Sequence, residues 1–457
     1  MKKILLLLTV LLLCVSVFLA ACDKSENDES EGTQSENSEA SKPESSNPEQ
    51  ESSAPNGSDT SFDGSQYQPD ADSAIKVLSC TFTEKPYFAV IGKCADGATV
   101  TGSAYGKTET CESYNGWFSL RLPCNGSTVS ITLSQTVNGA QVGEELKYNA
   151  APATPYRGAW PLISGKNYQF FLEKMIDDYN GSTVNGANVY SELTNRIKGR
   201  LDQLRSYNPD AEIIYLIAPS AMSVYSELLP NEYKSTAAAQ TNLDLVIDAI
   251  NASGATAIDL KEVFAEHKND ELPLYYKLDS HWADYGAYIA YDALFDHISK
   301  KFPDAAPRAV DEFNWNGNYY EGGDIAYYLS KSEATAPEMQ KKIREYAYYR
   351  TFKDTGVPYS ITSVPRYRSA TMLCYDVNAM TPERKIVTGR SNLPSCIVMR
   401  DSYSTQIYDL IAERMDTTHF LAMWDYGWNT RRISQEKPDY MIYVISEWNI
   451  NELIKNG

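Results

Sequence analysis

In Glu212-Ile213-Ile214-Tyr215-Leu216-Ile217-Ala218-Pro219 the apolar side chains after Glu212 run on without alternation, which describes a strand buried on both faces. A helical pattern precedes it: Tyr190 to Tyr207 carries Leu193, Ile197, Leu201 and Leu204 at three- and four-residue spacing. Another follows, Leu243 to Ile250, and then a second strand pattern, Ala255 to Leu260. The alternation continues with a helix over Ala283–Lys301, a strand over Cys396–Arg400, a helix over Thr405–Met415 and strands over His419–Trp424 and Tyr440–Ile445. Apolar strands between helices predict a parallel sheet covered on both faces, with ligands bound outside the carboxyl ends of its strands. Ser402 falls two residues beyond the strand ending at Arg400, the position a nucleophile needs.

A second segment supplies partners for that serine. Leu278-Asp279-Ser280-His281-Trp282 offers a carboxylate and an imidazole two residues apart, in a chain with only four histidines (His267, His281, His297 and His419). A serine hydroxyl, an imidazole base and an orienting carboxylate are the parts of an acyl-transfer triad. An Asp-x-His pair also suits a metal, but the other histidines are scattered and no Cys/His spacing matches a zinc site. No metal and no cofactor are therefore expected. Asp401 reads as the N-cap of the helix after the serine and not as a triad member. Trp282 either walls the site or packs in the core. Most of the 33 tyrosines, with Trp315, Trp424 and Trp428, read as core or interface aromatics rather than sugar-stacking platforms.

The amino-terminal third reads differently. Lys2 and Lys3 precede an apolar run from Ile4 to Phe18 that ends in Leu19-Ala20-Ala21-Cys22. This resembles a bacterial lipobox: residues 1–21 would be a lipoprotein signal peptide and Cys22 the acylated residue, anchoring the protein outside the cytoplasm. Residues 22–74 are dominated by Ser, Glu, Asn, Pro and Gly and are expected to be a disordered linker. Between residues 23 and 74 there are 14 Asp and Glu against two Lys, so this stretch carries most of the chain's net charge of −19. The acidity is a tether property, and no basic patch suggests a nucleic acid.

Residues 75–150 read as an all-β module. Alternating segments at 87–92, 98–102, 117–122 and 128–133 are separated by Gly and Asn turns, as in a small sandwich. Ile91 to Val100 resembles bacterial Ig-like repeats, and a spacer role is favoured over glycan binding. Cys80, Cys94, Cys111 and Cys124 fall in this region and are expected to pair among themselves, with Cys374–Cys396 as a third disulfide.

From about residue 158 to 457 the chain resembles the SGNH-hydrolase-like proteins of the alginate O-acetyltransferase (AlgX/AlgJ) type and the related DHHW proteins. The marks are Asp279-Ser280-His281-Trp282 with Gly286-Ala287, a strand ending in Asp401-Ser402-Tyr403, the opening Ile163–Phe171, the Pro after the Tyr215 strand, and Lys437-Pro438-Asp439-Tyr440. The resemblance implies an α/β fold, a three-layer αβα sheet of the SGNH-hydrolase type over residues 151–457, preceded by the small Ig-like sandwich. It implies catalysis by Ser402, His281 and Asp279, with Trp282, Arg400, Tyr403 and Tyr408 as weaker substrate-binding candidates. The backbone N–H of Ser402 is the one oxyanion donor assigned, with Tyr408 as its side-chain companion. Two departures stand out. Ser220-Ala221-Met222 follows Pro219 where relatives often have a lysine, and Arg400 stands where many have glycine.

The expected function is serine-dependent O-acetyl transfer on a surface or cell-wall polysaccharide through an acetyl-serine. A membrane-bound O-acyltransferase is the donor partner that the resemblance implies. A carbohydrate acetylesterase with the same triad and a non-catalytic glycan-binding surface lipoprotein are the alternatives.

Overall fold

The computed structural model describes residues 74–354, 360–362 and 382–456. The central sheet has seven strands, in the order Thr256–Ile258, Glu212–Ala218, Tyr440–Ser446, Ser395–Arg400, Thr417–Ala422, Glu383–Val387 and Ser360–Thr362. The first five are mutually parallel and the last two antiparallel to their neighbours. The sheet is thus mixed where a parallel one was expected. The reversed strand Glu383-Arg384-Lys385-Ile386-Val387 is charged at three of its five positions, as suits a strand toward a sheet edge.

Because side chains alternate along a strand, the run after Glu212 feeds two layers. Ile213, Tyr215 and Ile217 share one core with Leu193, Ile197, Leu201 and Leu204 of the helix Ala187–Tyr207. Tyr215 lies in register with Tyr443, and the two rings stack at 4.5 Å. Ile214, Leu216 and Ala218 face the other way, into a core with Ala287, Ala290, Leu294 and Ile298 of the helix Asp284–Ser299. This is the three-layer αβα arrangement. Each fully buried Leu or Ile adds about 1.5–3 kcal/mol of transfer free energy, so the two layers hold the sheet rigid beneath whatever its strand ends carry.

A long antiparallel pair, Phe313–Glu321 with Arg344–Phe352, lies between the helix Asp284–Ser299 and the edge strands in sequence.

Residues 76–150 form two antiparallel sheets. One holds Lys76–Phe82, Tyr87–Lys93 and Trp117–Pro123, and the other centres on Thr99–Ala104 and Val129–Val137. Phe88, Val90, Phe118, Leu120, Val100 and Ile131 fill the space between them. The module packs against the domain that follows it. Ala89, Ile91 and Trp117, on the outer face of the first sheet, belong to the same core as the helix Asp284–Ser299. Ser119 and Ser164 share a 2.7 Å hydrogen bond, and Thr81 Oγ1 donates to the Leu329 carbonyl at 3.3 Å.

The disulfide expectation is overturned for every described cysteine: Cys80, Cys94, Cys111, Cys124 and Cys396 are free thiols. They pack as small apolar side chains in the sandwich and under the sheet. Burial pushes the Cys80 thiol up to about 11 and those of Cys94 and Cys396 up to about 12. Cys374, the signal-like run, Cys22 and the acidic stretch to residue 73 lie outside the described residues. Among the described residues no helix is long and apolar enough to cross a membrane.

Candidate active site

The segment 274–283 loops back on itself before the helix Asp284–Ser299: Tyr275 bridges to Trp282, and the Ala283 N–H donates to the Leu274 carbonyl at 2.8 Å. The helix's first turn approaches that carbonyl so closely that a Cβ on Gly286 would lie 2.2 Å from the oxygen, so glycine is required there. The loop presents Asp279 and His281 at its tip. On the sheet, the Ser395–Arg400 strand runs into a 3₁₀ turn, Ser402–Gln406, capped by Asp401, whose Oδ1 accepts the Tyr403 N–H at 2.9 Å. Asp401 is the N-cap expected. It also ties adjacent strand ends together, because its Oδ2 accepts from Ser446 N, Ser446 Oγ and Asn449 Nδ2 at 2.7–2.8 Å.

These two devices bring Asp279, His281 and Ser402 into one hydrogen-bonded chain. His281 Nδ1 lies 2.7 Å from Asp279 Oδ1, and Nε2 lies 2.8 Å from Ser402 Oγ. Asp279 Oδ1 also accepts the His281 backbone N–H at 3.0 Å, and Tyr320 OH donates to Oδ2 at 3.1 Å. With a proton on Nδ1 facing the carboxylate, Nε2 is left to accept from the serine hydroxyl.

The charges fit this arrangement. Burial works against ionising Asp279, but His281 beside it and the donors around it outweigh that and hold its carboxyl below the usual range. Burial likewise works against the imidazolium of His281, yet Asp279, with Asp324 and Asp401 farther off, raises its pKa to about 9. Asp324, pushed up to about 6 by burial and by Asp279, accepts the Ser280 N–H at 2.8 Å and the Ser280 hydroxyl. It thereby fixes the residue between the two partners. A base must be unprotonated to accept a proton, so activity through His281 is expected to rise with pH along a limb centred near 9. In Asp324→Asn, which removes one of the charges that favour the imidazolium, this limb should move to lower pH. A pH profile of kcat/KM reads both.

Gly323 makes room for Asp279. A Cβ there would lie 1.8 Å from Asp279 Oδ2. Gly323→Ala is expected to displace the carboxylate and cost on the order of 100-fold in turnover with the circular dichroism spectrum unchanged. Steady-state rates of the purified variant check it.

A cleft of about 380 Å³, part of it open solvent, borders the Asp279 end of the chain, walled by Asp279, Ser280 and Tyr403 and by Phe171, Met175 and Trp448. Its far wall is tied by Glu447, a buried carboxyl raised by desolvation that accepts the Ser220 N–H at 2.6 Å and the Ser223 hydroxyl. Trp448 meets the His281 ring edge-on at 6.2 Å and Trp160 at 5.4 Å. The Lys174 ammonium sits 3.4 Å from the Trp160 ring centre and 3.8 Å from that of Trp448. Burial lowers its pKa to about 8.

Of the weaker candidates only Tyr403 reaches the cleft. Its ring packs 4.8 Å from that of His281, and its hydroxyl donates to the Ser280 carbonyl. Trp282 is fully buried, its Nε1 donating to the Tyr403 carbonyl at 2.8 Å, so it supports the loop from behind. Arg400 is buried at its strand end with its guanidinium 5.0 Å from the Trp424 ring. Tyr408, offered as an oxyanion donor, is buried and stacks on Phe420 at 3.6 Å, away from the cleft. Trp282, Arg400 and Tyr408 are therefore not cleft-lining residues: each spends its side chain on packing.

Sequence reasoning missed Tyr320, Asp324, Glu345 and Glu447. Only Asp324 left a local signal, an acid directly after the pair Gly322-Gly323. Asp279, His281 and Asp324 each offer a ligand atom within 4.8 Å of one another. Those atoms are already engaged, with His281, Tyr320, Ser402 and Ser280, so the donor set reads as a proton-transfer chain before a metal site.

Residues 164–356 match the family described as "SGNH hydrolase-like domain, acetyltransferase AlgX". This span holds Asp279, His281 and Asp324 and ends before Ser402. Similar solved structures include a DHHW family protein from Eubacterium siraeum, 14% identical over 71% of this chain and 94% of that one with a TM-score of 0.45. Bacillus cereus PatB1 is 16% identical over 60% and 94% (TM-score 0.46), and the O-acetyltransferase domain of Pseudomonas putida AlgJ is 16% identical over 65% and 93% (TM-score 0.39). No curated protein sequence matches the chain. Residues 164–356 are thus similar to the SGNH hydrolase-like domain of the acetyltransferase AlgX.

Proposed function

We propose that this protein moves an acetyl group through Ser402 onto a hydroxyl of an extracytoplasmic polysaccharide. The single observation that carries the reading is the chain Asp279–His281–Ser402, closed by contacts of 2.7 and 2.8 Å at the carboxyl edge of the sheet and beside an open cleft. Ser402 Oγ attacks the acetyl carbonyl carbon while His281 Nε2 takes its proton, and Asp279 stabilises the imidazolium that forms. Collapse of the tetrahedral adduct breaks the bond to the donor oxygen, which leaves with the proton from His281, and acetyl-Ser402 remains. A sugar hydroxyl then gives its proton to His281 and attacks the acetyl-serine, which restores Ser402 and yields the O-acetylated sugar. Water in place of the sugar would make the same site an acetylesterase. The Ser402 N–H, first in its turn and so outside the regular hydrogen-bond ladder, is the oxyanion donor in this reading.

The match to an acetyltransferase family supports the acetyl group. The lipobox-like Leu19-Ala20-Ala21-Cys22 supports a lipid anchor outside the cytoplasm, from which a membrane-bound O-acyltransferase would be a reachable donor. The full chain, given an activated acetyl ester, should release the alcohol. With an oligosaccharide present, mass spectrometry should find acetyl on the sugar. Free acetate alone would convert the reading to an esterase. An inert protein that still binds the oligosaccharide would leave a glycan-binding role in its place.

A further inference from the structure

The sandwich reaches the candidate site through one turn. Tyr114-Asn115-Gly116-Trp117 closes a hairpin in which Asn115 and Gly116 both take positive φ, 50° and 74°, and Tyr114 and Trp117 exchange backbone hydrogen bonds of 2.8 and 3.0 Å. Two successive positive φ values are what the Asn-Gly pair supplies in a tight hairpin turn. The turn sends Tyr114 out of the sandwich. Its hydroxyl donates to the Tyr346 carbonyl at 3.3 Å, and its ring lies 5.0 Å from the Lys277 ammonium.

Both contacts converge on the loop that carries Asp279. Tyr346 follows Glu345, a buried carboxylate whose two oxygens accept the backbone N–H groups of Lys277 and Leu278 at 2.7 and 2.9 Å. The carbonyl on the other side of Glu345, that of Arg344, takes the Tyr168 hydroxyl at 3.2 Å. Glu345 is also the cross-strand partner of Tyr320, which donates to Asp279 Oδ2. One strand pair therefore holds Asp279 by its backbone approach and by its side chain, and a tyrosine from the sandwich braces that pair. Lys277, buried between the rings of Tyr114 and Tyr225, has its pKa lowered to about 8 by desolvation, with Glu345 as its nearest counter-charge.

We propose that Tyr114 and Glu345 are positioning residues for the Asp279–His281 pair, so that the sandwich is a working part of the acetyl-transfer site and not an appendage. This rests on the proposed role of that pair. Residues 277 and 278 have no regular ladder of their own. Two backbone N–H groups donating to the one Glu345 carboxyl fix their path, and a shift of about 1 Å at a reacting group costs on the order of 100-fold.

The test uses the full chain with Tyr114→Ala, Tyr114→Phe and Glu345→Gln. Acetyl release is measured across pH, and the His281 imidazole is titrated by NMR, which does not depend on turnover. Tyr114→Ala and Glu345→Gln should lower kcat between about 10- and 100-fold with KM little changed. Loosened contact with Asp279 should move the His281 titration toward the value of an ordinary histidine. Tyr114→Phe, which keeps the ring over Lys277, should recover most of the rate. A folded Tyr114→Ala with unchanged kcat and unchanged His281 titration overturns the proposal. If Tyr114→Ala does not fold, the Glu345→Gln titration decides alone, and an unmoved His281 overturns it. A wild-type chain with no acetyl release sinks the functional reading instead, while the NMR titration still decides the positioning claim.

Discussion

Ser402→Ala is expected to abolish acetyl release, with a fall on the order of a million-fold in kcat. The serine oxygen lies 2.8 Å from His281 Nε2, within reach of that base. Alanine removes it without crowding the turn, because Ser402 is only half-buried and its hydroxyl is hydrogen-bonded to the His281 imidazole. The cap by Asp401 and the strand ties to Ser446 and Asn449 involve other atoms and should survive. Binding of an oligosaccharide to the cleft should therefore persist in a dead enzyme. Initial rates on an activated acetyl ester, beside a binding isotherm on the same preparation, measure both.

Asp279→Asn should cost about 10⁴-fold through a different link. The carboxylate fixes which imidazole nitrogen carries the proton, because Oδ1 accepts from both Nδ1 and the backbone N–H of His281 while Oδ2 accepts from Tyr320. An amide matches only part of that demand: its NH₂ end can turn Nδ1 into an acceptor, which leaves the proton on Nε2, facing the serine. The sign of the pH effect also follows. Asp279 is the chief negative charge that holds His281 up to about 9 against burial. Without it the imidazolium is less favoured, so whatever activity remains should show its acid limb at lower pH than wild type. A variant as active as wild type, or a limb that moves upward, would remove Asp279 from the role given to it.

The αβα layering was legible because the strands advertise themselves. The run after Glu212 has no polar interruption, and the helix face Leu193, Ile197, Leu201 and Leu204 has the period of an α-helix. The candidate trio was legible for a chemical reason: Asp279 and His281 are two residues apart, and Ser402 follows a buried strand. What stayed hidden depends on contacts distant in sequence. Tyr320, Asp324 and Glu345 sit 41, 44 and 67–68 residues from the groups they hold, and no spacing rule joins them. Arg400 and Tyr408 lie near Ser402 in sequence, but their buried side chains pack elsewhere, Arg400 under the Trp424 ring and Tyr408 on Phe420. The cysteines followed composition and not geometry. An even count suggested pairs, yet the described ones are spent as small core side chains.

An acetyl group carried covalently on Ser402 is detectable by intact-protein mass spectrometry. After brief exposure to an activated acetyl ester and acid quench, the full chain should gain the mass of one acetyl group, and the fragment carrying it should map to Ser402. Asp279→Asn should acquire it slowly and Ser402→Ala not at all. An acetyl group on another residue, or acetate release with no adduct at Ser402 under any quench, would contradict the account.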